Sequence, residues 1–327
     1  MSAGASISFS MPPQNQSAPI KPPALRRGDK VGIIAPASHF NRDEFQAGCD
    51  ALRKMGYNPV FSDSIFDRDL YFAGSAERRA RELEEMFLRV DVKAIICARG
   101  GYGSNYLLPL LDLKKIAAHP KVFVGYSDLT SLMTYFYDAA GLVTFHGPMV
   151  AKDFAKEDGV DAASWESTLG ATLDGNFDFA SDSGVKFLVR GTAEGVLYGG
   201  CLSMLVASLG TPYEIQTNGT ILFIEDVATK PYQVDRMLMQ LKLAGKLSGV
   251  RGIIFGEMLA CAQPGGQSYT LEGVVMRIVG GLNVPVAFGL RSGHVSRANV
   301  TLPLGISVVL NVDGSNVSLR ALEPATS

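Results

Sequence analysis

The strongest constraint on the fold is a rhythm in the first 150 residues. Short, wholly apolar runs stop at glycine or proline and alternate with segments of helical spacing. Lys30–Ala35 ends at Pro36, Lys93–Ala98 runs into Arg99-Gly-Gly-Tyr-Gly103, and Lys121–Gly125 runs into Tyr126-Ser127. Between them, Phe45, Cys49, Leu52 and Met55 share one helical face, and Gly56 follows as a C-cap. Leu83, Met86, Phe87 and Val90 do the same in the charged stretch 77–90. Asn58–Phe61 reads as a further strand, and Asp128–Ala139 as a helix ending before Gly141. Strands apolar on both sides and joined by helices specify a parallel sheet covered on both faces.

The rhythm changes after residue 150. Residues 151–184 are acidic and glycine-interrupted, and read as a linker with one weak helix around Trp165. Beyond it, Phe187–Gly191, Thr220–Ile224, Gly252–Phe255, Val286–Phe288, Val300–Leu302, Ser307–Asn311 and Val317–Leu319 read as strands. Gly199–Leu209 and Pro231–Leu243 read as helices. The expected organisation is a disordered tail over 1–24, a first domain over 25–150, the linker over 151–184, and an α+β second domain over 185–327.

Composition removes several function classes. With 30 basic against 32 acidic side chains, a net charge of −2 offers no electrostatic footprint for nucleic acid or an anionic membrane surface. No apolar run approaches the ~18 residues of a membrane span. The four cysteines, Cys49, Cys97, Cys201 and Cys261, form no C-x-x-C pair, so they read as buried free thiols of a reducing compartment. The uncharged N-terminus lacks the basic and apolar regions of a signal peptide, so the expected location is the cytoplasm. Four histidines against 35 glycines point to sites built from backbone, with no metal and no cofactor.

The sharpest local feature is Val122-Phe-Val-Gly-Tyr-Ser127-Asp128-Leu-Thr130. A serine between an apolar strand and a helix stands above the sheet edge, where the helix offers unpaired N–H groups to an oxyanion. That is the logic of a nucleophile elbow, although Leu129 stands where G-x-S-x-G has its second glycine. Ser127 or Asp128 can equally be a plain helix cap, and the segment alone favours that reading.

A serine nucleophile needs a base, and there are four candidates. His39 follows the first strand, His119 precedes Pro120 as a surface or C-cap residue, and His146 in Phe145-His-Gly-Pro148 reads as packed. His294 lies in the polar loop Arg291-Ser-Gly-His-Val-Ser-Arg-Ala-Asn299, where loop residues carry function disproportionately, although a lone loop histidine is commonly an exposed bystander. For the orienting acid, Glu225-Asp226 end the strand beginning at Ile221, and strand alternation lets at most one of them serve. The Arg99–Gly103 loop fails both the Walker A and the G-x-G-x-x-G patterns, yet its glycines can present amides to an oxyanion or carboxylate.

Taken in order, these segments resemble the LD-carboxypeptidase family of serine peptidases, which also includes the microcin C7 self-immunity peptidase. The carriers are Gly28-Asp-Lys-Val-Gly-Ile-Ile-Ala-Pro36, Arg99-Gly-Gly-Tyr-Gly103, Gly125-Tyr-Ser-Asp-Leu-Thr130 and His146-Gly-Pro148. The second half adds Gly199-Gly-Cys-Leu-Ser203, Leu222-Phe-Ile-Glu-Asp226, Tyr232-Gln-Val-Asp-Arg-Met-Leu238 and Gly293-His294 before Thr301-Leu-Pro-Leu-Gly305. Cys201 departs from the asparagine expected in the Gly-Gly-Asn-Leu-Ser pattern.

The resemblance implies a flavodoxin-like N-terminal domain, a smaller swivelling α+β C-terminal domain, and a homodimer. It implies Ser127 as nucleophile, His294 as base, Glu225 as the acid orienting it, and the amides of Gly101 and Asp128 as oxyanion hole. Arg99, Gly100 and Tyr102 become candidates for substrate contact. The implied reaction removes the terminal D-alanine of a murein tetrapeptide in cytoplasmic peptidoglycan recycling. The immunity-type alternative acts on aminoacyl nucleotides with an aromatic residue on a longer loop after the glutamate. Here Val227–Val234 is short and Trp165 lies in the linker, which favours murein. A generic α/β-hydrolase esterase shares the Ser, Glu, His order, and a non-catalytic two-domain binding protein would also have α/β lobes.

Overall fold

The computed structural model describes residues 18–170, 176–178, 184–262, 265, 268–314 and 316–327. Residues 1–17 of the expected tail, and 171–175 and 179–183 of the expected linker, lie outside the described residues.

The first half alternates β1 (Lys30–Ile34), α1 (Arg42–Lys54), β2 (Asn58–Val60), α2 (Ala76–Leu88), β3 (Val92–Cys97), α3 (Leu113–Ala118), β4 (Val122–Gly125), α4 (Thr130–Ala140) and β5 (Thr144–His146). The strands lie in the order β2-β1-β3-β4-β5, all parallel, which is the flavodoxin-like order. Local chemistry sets the boundaries. The Asn41 side chain caps α1 by accepting from the amides of Asp43 and Glu44 at 2.7 and 3.1 Å, worth about 1 kcal/mol. Gly141 closes α4 in the left-handed region at φ 70°. The apolar face expected to reach Val90 stops short: α2 ends at Leu88, Arg89 is extended, and Val90 is 84% exposed.

The second half holds α5 (Ala162–Leu169), β6 (Asn176–Asp178), β7 (Lys186–Val189), β8 (Gly191–Cys201), α6 (Leu202–Ala207), β9 (Thr220–Glu225), α7 (Pro231–Leu243) and β10 (Gly252–Gly256). It continues with α8 (Leu271–Val279), β11 (Val286–Leu290), β12 (Leu302–Leu304), β13 (Ser307–Asp313) and β14 (Asn316–Ala321). Eight of these strands form a mixed sheet, β6-β14-β13-β8-β9-β10-β11-β7, with a parallel centre and antiparallel flanks. The half expected to be smaller therefore carries the wider sheet. Gly199 and Gly200, read from sequence as opening a helix, instead continue β8 in parallel register with Phe223 and Ile224. A Cβ at Gly199 would run into the Phe223 carbonyl, so this glycine permits a close strand approach.

The expected domain boundaries are crossed in three places. β12, from the second half, adds an antiparallel edge to the first sheet beside β5. Ile20, assigned to the tail, pairs with Leu142, while Ala24 N–H donates to the Ser327 carbonyl at 3.2 Å and Ser327 N–H to the Pro22 carbonyl at 2.9 Å. Trp165, assigned to the linker, is fully buried, and its indole N–H donates to the Tyr57 hydroxyl at 3.2 Å. Apolar side chains force these closures, because each segment carries a residue that solvent would penalise. Among the described residues, no helix is long and apolar enough to cross a membrane.

Candidate active site

The parallel sheet reverses its direction of growth between β1 and β3, and in such folds the crevice opens at the carboxyl ends there. The loops leaving these two strands are tied together. Ser38 N–H donates to the Gly100 carbonyl at 3.2 Å, and Tyr102 N–H donates to Ser38 Oγ at 3.1 Å. Beneath them, buried Arg79 of α2 donates to the carbonyls of Pro36 (2.5 Å), Gly103 (2.8 Å) and Gly74 (3.1 Å). One guanidinium thus pins both loops, and burial pulls its pKa below the ordinary value.

Ser127 sits at the end of β4 with φ 65°, a left-handed conformation that costs a non-glycine residue roughly 1–2 kcal/mol. A sharp, strained turn of this kind is what an elbow requires, so the cap reading does not describe Ser127. Gly100 backs it closely: a Cβ there would lie 3.0 Å from Ser127 Cβ and 3.2 Å from its Oγ. Gly101 has φ +100° and packs on Ser38, leaving no room for a side chain. The Asp128 carboxylate turns away from solvent and accepts the Ser104 amide at 2.8 Å, while Ser104 Oγ donates to the Asp128 carbonyl at 2.6 Å. Burial pushes the Asp128 carboxyl up. Its side chain therefore locks the glycine loop to the elbow.

The second sheet brings the other partners. Glu225 ends β9 and is fully buried. Its Oε2 accepts the main-chain N–H of His294 at 3.0 Å and lies 2.7 Å from His294 Nδ1. Burial raises the Glu225 carboxyl, but the charge and hydrogen bonds of His294 outweigh it and hold it below its ordinary value. The 291–299 loop is closed by Asn299, which accepts from Gly293 N–H at 3.0 Å and donates to its carbonyl at 3.1 Å. Gly293 has φ +95°, and a Cβ there would fall 2.7 Å from Glu225 Cδ. His294 is thus a buried side chain on a fastened loop, not an exposed bystander.

The two halves meet at Tyr126. Its ring stands edge-on to His294 with centroids 5.1 Å apart, one residue before Ser127. Among the described residues, no hydrogen bond joins Ser127 Oγ to His294.

Of the residues singled out by sequence, Ser127, Gly100, Gly101 and Asp128 share the first-sheet crevice, and Glu225 and His294 form one pair. Arg99 is exposed beside it. Tyr102 stacks into an aromatic group with Tyr71, Phe72 and Tyr106, at centroid separations of 5.9, 5.9 and 6.1 Å. Asp226 points the other way, accepting from Ser203 N–H at 3.0 Å and Val227 N–H at 2.8 Å, as strand alternation requires. His119 caps α3 at the surface through Lys115. All four cysteines are buried and free, and no metal-binding cluster occurs among the described residues. Sequence reasoning missed Arg79, Ser38, Ser104 and Asn299. Only Arg79 left a trace: it lies one turn before Leu83, a cation on the apolar face of α2.

A strained serine at a strand-to-helix elbow, a glycine loop beside it and a carboxylate-held histidine from a second sheet define a two-lobed α/β serine hydrolase. Family models agree on both halves: the LD-carboxypeptidase N-terminal domain matches residues 31–147 and the C-terminal domain residues 194–310. The chain is 38% identical to the probable murein peptide carboxypeptidase of Bacillus subtilis, over 92% of this chain and 94% of that one. A solved structure of the microcin C7 self-immunity protein MccF superposes with a TM-score of 0.86 at 27% identity, covering 94% of this chain and 100% of that one. The muramoyltetrapeptide carboxypeptidase of Oxalobacter formigenes gives 0.80 at 30% identity, over 90% and 99%. This chain belongs to the LD-carboxypeptidase family.

Proposed function

We propose that this chain removes the terminal D-alanine from murein tetrapeptides, with Ser127 as nucleophile, His294 as base and Glu225 as its orienting acid. The observation that carries the reading is the buried 2.7 Å contact between Glu225 Oε2 and His294 Nδ1, beside the strained Ser127 elbow. A carboxylate on Nδ1 makes that nitrogen a donor and leaves Nε2 as the basic one.

Domain closure brings Nε2 to Ser127 Oγ and takes its proton. The alkoxide attacks the carbonyl of the penultimate residue, and the amides of Gly101 and Asp128 hold the oxyanion. His294 returns the proton to the departing amine of D-alanine. Water then gives a proton to His294, its hydroxide attacks the acyl-serine, and Ser127 leaves with that proton. The nucleophile resides in the first lobe, about 25–150, and the acid and base in the second, about 185–327. The lobes act in a cytoplasmic homodimer without cofactor, nucleic acid or membrane.

The substrate's free carboxylate needs a cation. Lys152 supports that role: its ammonium lies 5.1 Å from the Tyr126 ring centroid, half-buried, without an ion-pair partner within 4 Å among the described residues, and in the field of Asp153, Glu225, Lys156 and Arg99. Burial lowers its pKa. A nucleotide substrate is disfavoured because Trp165, the single tryptophan, is buried against Tyr57. Residues 226–230 alone separate Glu225 from α7, too few for a base-stacking loop.

Incubation with a murein tetrapeptide and, separately, an aminoacyl nucleotide, read by mass spectrometry, tests the assignment. Free D-alanine and a tripeptide are expected. Release of the amino acid from the nucleotide alone would overturn it.

A further inference from the structure

We propose that His146 is a positioning residue for the Glu225–His294 pair, donating its Nε2–H to Oε1 of Glu225 as a permanently neutral imidazole. This rests on the reading of that pair given above, and adds a fourth residue to it.

The two carboxylate oxygens of Glu225 are treated differently. Oε2 takes both contacts from His294, whereas Oε1 is buried with no hydrogen-bond partner among the described residues. The Nε2 of His146 is likewise buried and unpartnered, and it faces Oε1 at 3.9 Å. Both side chains are fully excluded from solvent. A buried acceptor and a buried donor left unpaired each cost about 1–3 kcal/mol, and a shift of roughly an ångström satisfies both.

The other ring nitrogen has a partner able to donate to it. Ser292 Oγ lies 2.8 Å from His146 Nδ1, whereas its contact with the His146 carbonyl is 3.5 Å, at the edge of a hydrogen bond. In the proposed arrangement the hydroxyl donates to Nδ1 and the single proton of a neutral ring resides on Nε2, where it faces the buried carboxylate oxygen; the opposite tautomer, with Nδ1–H donating to Ser292 Oγ, would turn a bare nitrogen toward Oε1. Burial drives the His146 pKa down to about 4, so the ring stays neutral where a hydrolase with a histidine base works. Two rings hold its plane: Phe223 edge-on at 5.0 Å and Tyr126 at 5.8 Å. Gly293 supplies the space, since a Cβ there would meet both Glu225 and His146 Cε1.

The chemical consequence concerns charge. A donor on Oε1 draws off part of the carboxylate's negative charge and fixes the plane in which Oε2 meets His294. Without it the whole charge falls on the His294 bond, the imidazolium is favoured, and the base is titrated at higher pH. Around the pair also stand Tyr126, Lys152, Cys201, Asp226 and Cys261. These are unchanged in the variants below, so differences between variants report on position 146.

The test compares His146→Gln, which retains an N–H donor, with His146→Phe, which does not. Expected for His146→Phe is a kcat loss of about 30- to 100-fold, KM within about twofold, and an acid limb of kcat/KM raised by about half to one pH unit. His146→Gln should stay within about fivefold with its limb unmoved. A His146→Phe limb that does not move, or equal kcat losses in both variants, would overturn the proposal. Should His146→Phe fail to fold, nitrogen-15 spectra of the histidine-labelled wild type decide, because four histidines are readily assigned. The Nε2–H tautomer is expected for His146, and an Nδ1–H tautomer sinks the idea. Full activity in Glu225→Gln would instead show that the catalytic reading itself is wrong.

Discussion

Glu225 Oε2 meets His294 twice, accepting its main-chain N–H at 3.0 Å and facing its ring Nδ1 at 2.7 Å. One oxygen thus fixes where the loop lies and which ring nitrogen carries the proton. Glu225→Gln preserves volume but presents an amide that cannot accept both contacts in the same way. It should keep the fold and cost about 10³–10⁴ in kcat, measured as D-alanine release from a murein tetrapeptide. A loss below tenfold would remove Glu225 from the reaction.

Ser127 separates strain from chemistry. Ser127→Ala and Ser127→Gly should both lose nearly all turnover. Glycine adopts φ 65° without penalty, so Ser127→Gly should unfold later in urea than Ser127→Ala, by about 1 kcal/mol. Equal midpoints would show that the elbow stores no strain.

Arg79 donates to three carbonyls across two loops, a geometry that one ammonium cannot reproduce. Arg79→Lys is expected to destabilise by about 2–3 kcal/mol and to speed amide hydrogen exchange at 100–104 more than elsewhere. Uniform exchange across the chain would argue against a clamp.

Lys152 carries the carboxylate prediction. Lys152→Met should raise KM by about 10- to 100-fold for a tetrapeptide with a free terminal carboxylate, with kcat little changed. A C-terminally amidated analogue, hydrolysed more slowly by the wild type, should be insensitive to the substitution. The same loss on both substrates would remove Lys152 from this role.

Stability should depend on pH through Asp138. Its carboxyl, half-buried on α4, accepts from the Tyr198 hydroxyl of β8 at 2.6 Å, and desolvation raises its pKa to about 7. A folded pKa above the unfolded value means the folded state holds the proton more tightly. The stabilising effect is therefore complete below about pH 4 and is lost as pH rises through 7. Relative to Asp138→Asn, the wild type should lose about 2–4 kcal/mol between those limits in urea titrations. A pH-independent difference would contradict this.

The alternation of apolar runs and helical spacing was enough to specify the parallel sheet, because period and composition are local properties. Ser127 was legible as a candidate elbow for the same reason; alternation allowed only one of Glu225 and Asp226 to serve, and the choice of Glu225 came from the family resemblance. The domain limits were less legible. Ile20 packs on the core and Trp165 lies in it, yet each is surrounded by polar or glycine-rich sequence that reads as tail or linker, and Leu302–Leu304, beginning in a segment read as a strand of the second half, joins the sheet of the first. Gly199 and Gly200 read as the opening of a helix because glycine carries no mark distinguishing a helix start from a close strand contact.

What the sequence determined by itself is the residue chemistry available at each strand end: a serine before a helix, glycines after β3, an acid after β9, a histidine in a polar loop. What only the tertiary structure decided is which of these share a space. Glu225 and His294 are 69 residues apart, and His146 and Ser292 are 146 apart. Nothing in the spacing encodes either contact. They arise because β9, β11 and β5 end at one junction of two sheets, where burial removes water and leaves each polar atom to find its partner in the protein.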